Sequence, residues 1–182
     1  MADQPPPVEK FPGDFAVVSA GGIPGRLVGW LQELDRKLRR DADPAKYDDY
    51  QHAFIYTGLE GDHAIIQAEP AGTDYASLTP HGKTLWSTGK IPLTDPQRAL
   101  IQLAADSYLG VPYSFLDYAA LILHRLHVRV PWLKRYIAST KHQICSQLVD
   151  QVYLDAGVHL FDDGRWPGYV TPADLAELLD KR

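Results

Sequence analysis

The chain has one cysteine and one methionine in 182 residues. A single cysteine closes no intramolecular disulfide and cannot furnish a cysteine-rich zinc site, so the fold has to rest on its own core. Long apolar runs are missing too. The longest near the middle, YAALIL at 118–123, falls far short of the roughly 20 residues that span a bilayer, and charged residues flank it. Positive charge is not in excess either: 18 Lys and Arg against 23 Asp and Glu leave a net charge of −5, which argues against nucleic acid as a partner. The opening MADQPPPVEKFPG holds acidic residues and four prolines without an apolar stretch, so it does not read as a signal peptide. Residues 1–10 are expected to form a disordered arm and the protein to be cytoplasmic, with delivery as a phage component as another route.

With 45 % hydrophobic and 23 % charged residues, the remainder reads as one domain over 11–182. DFAVVS at 14–19 is a β-rich run closed by Gly21-Gly22. From Arg26 to Arg40, Leu27, Trp30, Leu31, Leu34 and Leu38 make one face of an amphipathic helix. HAFIYTG at 52–58 and DHAIIQAE at 62–69 read as a β-hairpin with Glu60-Gly61 as its turn. A turn-rich segment follows, with short strands expected at Thr84–Ser87 and Lys90–Leu93. Helices are expected from Thr94 or Asp95 to Gly110, from about Ser114 to Leu126, from Cys145 to Gly157, and from Thr171, as N-cap with Pro172 behind it, to the end. A sheet with helices gathered mostly in the second half is an α+β pattern.

If Glu60-Gly61 is the hairpin turn, facing residues have numbers that sum to 121, and His52 lies opposite Glu69. Facing Cβ atoms about 4.5–5.5 Å apart let a carboxylate accept a hydrogen bond from an imidazole. That pairing holds one tautomer and stabilises the cation, as a general base needs. A solvated cross-strand polar pair is the plainer alternative. His124 and His127 stand three apart on a helical pattern, but no third metal ligand has a recognisable spacing, and neither metal nor cofactor is expected.

Cys145 stands where the polar STKHQ gives way to a helical pattern. Unpaired N–H groups and the positive dipole end at a helix start favour a thiolate, and His52 nearby would turn it into an ion-paired nucleophile. The Cys145 N–H would be one donor to the oxyanion of an acyl-transfer intermediate. Against this stands the ordinary behaviour of free cysteine as a small buried hydrophobe.

In order, HAFIY, AEPAG, LGVPYSF, ICSQLVDQVY and YVTPADLAEL resemble the circularly permuted branch of the NlpC-type papain-fold cysteine hydrolases, which includes relatives of lecithin:retinol acyltransferase. FPGDFAVVS, with Gly13-Asp14, is similar to the first strand of that branch, and the likeness runs over roughly 11–178. The resemblance implies a permuted papain-like fold, a small antiparallel sheet or partial barrel packed against helices. It further implies Cys145 as nucleophile, His52 as base, Glu69 as the orienting acid, and Tyr113 and Gln143 as oxyanion or substrate-binding residues. The implied reaction is hydrolysis of a peptide or peptidoglycan amide through an acyl-enzyme. A lipid acyl hydrolase or acyltransferase on the same triad is the alternative, and a non-catalytic binding or virion structural module is the alternative of another class.

The stretch 116–141 sets Arg125, Arg129, Lys134, Arg135 and Lys141 against Asp117 alone, with Trp132 and Tyr136 between them. A basic, aromatic segment of this kind lines a groove for an anionic or acyl-bearing substrate, rests on a membrane surface, or is simply a solvated face.

Overall fold

The computed structural model describes residues 9–19, 32–33, 36–37, 43, 45–69, 71–112, 144–165 and 167–182. Among the described residues five strands form one antiparallel sheet: β1 (Phe15–Val18), β2 (His52–Tyr56), β3 (Ile65–Glu69), β4 (Gly72–Ala76) and β5 (Thr84–Trp86), in the order β4-β3-β2-β1-β5. Among the described residues three continuous helices accompany it, besides the helical residues 32–33 and 36–37: α1 (Asp95–Ser107), α2 (Cys145–Asp155) and α3 (Pro172–Asp180). The architecture is α+β. Among the described residues no helix is long and apolar enough to cross a membrane.

Side-chain alternation separates the two faces of the sheet. Phe15, Val17, Ala53, Ile55, Ile66 and Ala68 join the helices' buried side chains in the main core. Ala16, Val18, Phe54 and Ile65 form a smaller cluster with Tyr56, Leu78 and Trp86 on the other face. In α2, Leu148, Val149, Val152 and Tyr153 are fully buried, so the expected apolar stripe is the one that faces the core. The Tyr153 ring meets Phe15 edge-on at 5.4 Å and its hydroxyl donates to the Gly13 carbonyl at 2.6 Å.

Capping explains where two helices begin. Thr94 and Gln97 exchange hydrogen bonds at the start of α1, as Thr171 and Asp174 do at the start of α3, and each helix carries a proline in its first turn. Gly157, with φ of 75°, follows α2 in the left-handed region where glycine is the natural terminator.

The hairpin expectation holds in register and not in turn type. Phe54 faces Gln67, Ile55 faces Ile66 and Tyr56 faces Ile65, the register that sums to 121. Yet the connection is the longer stretch 57–64, containing a 3-10 turn at Gly61–His63, rather than a two-residue turn. The Thr57 N–H to Ala64 carbonyl bond, at 3.0 Å, carries the same pairing past the strand ends, so the loop is symmetric about the expected turn. A strand was not expected at Gly72–Ala76, and Lys90–Leu93 forms turn and coil instead of a strand. Gly72 explains why β4 reads poorly: its φ is 123°, and a Cβ there would stand 3.3 Å from the Val111 carbonyl oxygen. Residues 32–33 and 36–37 of the first amphipathic stretch are helical. Gln32 bridges the Tyr50 carbonyl and the Ala173 N–H, and Arg36 bonds Glu177 at 2.7 Å. The rest of that stretch lies outside the described residues, as do residues 1–8 of the arm expected over 1–10 and the helix expected from Ser114 to Leu126.

Candidate active site

His52 is the first residue of β2, and Cys145 is the first residue of α2, behind the extended N-cap Ile144. The start of α2 is tied down from two sides. Ser146 Oγ donates to the Val170 carbonyl at 2.8 Å, and the Ile144 N–H donates to Gln147 Oε1 at 3.3 Å. Both bonds use polar groups that burial would otherwise leave unsatisfied. They fix the turn that carries the thiol.

The structure brings Cys145 and His52 together, with a hydrogen bond and a charge interaction between thiol and ring. Burial pushes the Cys145 thiol up. The His52 cation opposes it, aided by that hydrogen bond and by the N–H groups of Ala53 and Ser146, and the net effect holds the thiol below its ordinary value. His52 shows the complement. Burial lowers it, while the Cys145 charge and hydrogen bonds to Cys145 and Gln67 raise it to about 9. Each group thus favours the charged form of the other, thiolate beside imidazolium. Cys145 is only 5 % exposed, which keeps the pair away from solvent screening.

The ring is oriented by Gln67. Its Oε1 accepts the Nε2 proton of His52 at 2.8 Å, which leaves Nδ1 for the sulfur. Glu69, expected to hold the ring, ends β3 as an exposed residue and reaches His52 only as the weakest of the influences that raise it. The physical reason lies in the pleat: Gln67 and Glu69 share a face, and the diagonal neighbour bends to the ring while the residue at the strand end turns to water. The alternation that singled out Glu69 puts Gln67 on the same face, so the signal was present but was read only for directly opposed residues.

Sequence reasoning also passed over His81. Its ring lies 5.8 Å from that of Phe54, which in turn lies 6.4 Å from His52. Burial and the nearby His52 charge lower its pKa. No pattern in the sequence marks it, because the loop that carries it reaches the site only through folding. Tyr113, Gln143, His124, His127 and the basic stretch 116–141 lie outside the described residues. Among the described residues, no group of three or more His, Cys, Asp or Glu side chains is arranged to hold a metal ion.

No family model matches this chain, and no curated protein does. Among solved structures it is similar to the metalloprotein yiiX of Escherichia coli O157:H7, with 20 % identity and a TM-score of 0.47 over 93 % of this chain and 80 % of that one. A likeness of that size transfers neither fold nor activity.

Proposed function

We propose that the protein is a cysteine hydrolase of the permuted papain-like type that cleaves an amide bond of a peptide or peptidoglycan substrate. The observation that supports this reading is the hydrogen bond between the buried Cys145 thiol, at the start of a helix, and His52, in which each group favours the charged form of the other. Histidine on a strand preceding cysteine on a helix fits the permuted order. A thiol kept as an inert core residue would be expected to stay neutral, since burial alone raises its pKa.

In the reaction, the Cys145 sulfur attacks the amide carbonyl carbon, and the oxyanion meets the Cys145 N–H, one of the helix-start donors without an intrahelical acceptor. The His52 imidazolium gives a proton to the leaving nitrogen, and the C–N bond breaks to leave a thioester and a free amine. Neutral His52 then takes a proton from water as that water attacks the thioester. Collapse releases the carboxylic acid and restores thiolate and imidazolium. Gln67 keeps the ring in the orientation that both proton transfers use.

The test is alkylation of the native protein with iodoacetamide across pH, for wild type and His52→Ala. Reaction that is already fast well below pH ~8.5, and that is lost in the variant, supports the reading. Matching profiles centred near the ordinary thiol value would sink it. Mass spectrometry of an acyl adduct trapped on Cys145 identifies the substrate.

A further inference from the structure

A cleft of about 330 Å³ lies on the His52 face of the sheet. The ladder builds its floor. Val18 pairs with His52 on one side and Thr84 on the other, and Ala16 pairs likewise with Phe54 and Trp86, so two rows of side chains run across three strands. In the second row Ala16 stands between Phe54 and Trp86, whose rings meet edge to face at 5.7 Å and form one aromatic wall of a trough. Leu78, Pro80 and His81 also line it, and Lys10 closes one end with its ammonium 5.1 Å from the Trp86 ring centre. The Phe54 ring, part of the cleft wall, lies 6.4 Å from the His52 ring and 5.8 Å from that of His81, so the trough opens beside the imidazole.

We propose that this cleft holds the side chain of the leaving amine, and that it selects a bulky, uncharged apolar or aromatic residue on that side of the scissile amide. This rests on the reading of Cys145 and His52 as an amide hydrolase. The imidazolium must face the leaving nitrogen to protonate it, so the leaving residue lies on the imidazole side of the sulfur, where the trough opens. The volume sits at the bottom of the ~300–1,000 Å³ range of small-molecule pockets, enough for one large side chain and too little for a long acyl chain. Lys10 supplies its charge, and none of the described residues lining it is acidic, so a cationic side chain has nothing to pair with.

The test runs the first half of the reaction, acylation with release of the amine, backwards. p-Nitrophenyl acetate acetylates Cys145 with release of nitrophenolate, and the thioester then partitions between water and an added amino acid amide. The α-amino nitrogen of that amide attacks the thioester carbonyl, thiolate leaves, and the nitrogen's proton passes to His52, giving an N-acetyl amino acid amide that mass spectrometry counts. Phenylalaninamide and leucinamide are expected to outcompete glycinamide by about tenfold, the discrimination typical of a hydrophobic pocket, while lysinamide does no better than glycinamide. Thr84→Phe, which fills the trough, and Leu78→Ala, which opens it, should each lower the ratio of phenylalaninamide to glycinamide product. That ratio is internal to each variant, so it is read from whichever of the two folds. A nitrophenolate burst with no preference among the amides overturns the cleft assignment and leaves the hydrolase reading standing. Absence of a burst on Cys145 overturns both.

Discussion

Two buried clusters in this molecule hold charge in opposite ways. Asp14, with no exposed surface, accepts from Arg98 at 2.8 Å, from Thr88 at 2.6 Å and from the Phe11 N–H at 3.0 Å, so each carboxylate oxygen has a partner. It ties the entry to β1 onto α1 and the end of β5. The Cys145–His52 pair is as deeply placed, but its two charges are carried by groups that are neutral in water at their ordinary pKa values, and each exists because of the other. A satisfied cluster holds the fold, whereas a mutually dependent one stores reactivity that vanishes when either member goes.

The largest expected break in this comparison is Asp14→Ala. It takes the carboxylate away from the Phe11 N–H and from Arg98, which keeps its bond to the Pro12 carbonyl, and costs about 3 kcal/mol of stability, as loss of one partner of a buried pair does. Urea unfolding measures it, and the pH profile of Cys145 alkylation in the folded protein should keep its wild-type midpoint. A shifted midpoint would join the two clusters.

His52→Ala should slow alkylation at pH 7 by roughly 30-fold, because an ordinary thiol is only a few per cent thiolate there and burial no longer meets a counter-charge. Circular dichroism is expected to show the fold retained. A smaller loss than about threefold would mean that the N–H groups of Ala53 and Ser146 hold the thiolate by themselves.

The pH dependence carries a defined sign. His52 rises to about 9 on folding from an ordinary value near 6.5, so its contribution to stability is complete below that value and is lost as pH climbs through about 9. Hydrolysis should fall over the same upper limb as the leaving group loses its acid. Cys145 behaves inversely: its depressed pKa contributes stability above the ordinary thiol value, and this is lost as pH falls through the folded one. Calorimetry and rate profiles from pH 5 to 10 check both limbs.

The smallest effects separate the neighbours of His52. Gln67→Ala removes the hydrogen bond that orients the ring and should slow hydrolysis about fivefold, in line with roughly 1 kcal/mol for such a bond. Glu69→Gln removes an exposed charge screened by solvent and should change the rate by less than about twofold. The reverse ranking would return the orienting role to Glu69.

Much of the fold was legible before folding was considered. Thr94-Asp95-Pro96 and Thr171-Pro172 mark helix starts because capping is decided within four residues, and Leu148, Val149 and Val152 announce a buried helix face because a helix repeats every 3.6 residues. The hairpin register was legible too, since hydrophobic alternation specifies which residues face each other even when the loop between them is longer than expected. β4 was hidden by Gly72 and by turn-rich neighbours, whose low strand propensity is overridden by pairing with β3 along its whole length.

The site divides along the same line. That a histidine and a cysteine stand at element starts, one leading a strand and the other a helix, is a local property that the sequence determines, because strand alternation and helix initiation are short-range. That their side chains meet, that Gln67 rather than Glu69 takes the ring nitrogen, and that His81 and Trp86 flank a cleft beside it, only the tertiary structure decided. Those contacts join residues far apart in the chain. Side-chain reach, burial and a shared low dielectric, none of them encoded at any single position, determine which polar groups pair and which one turns to water.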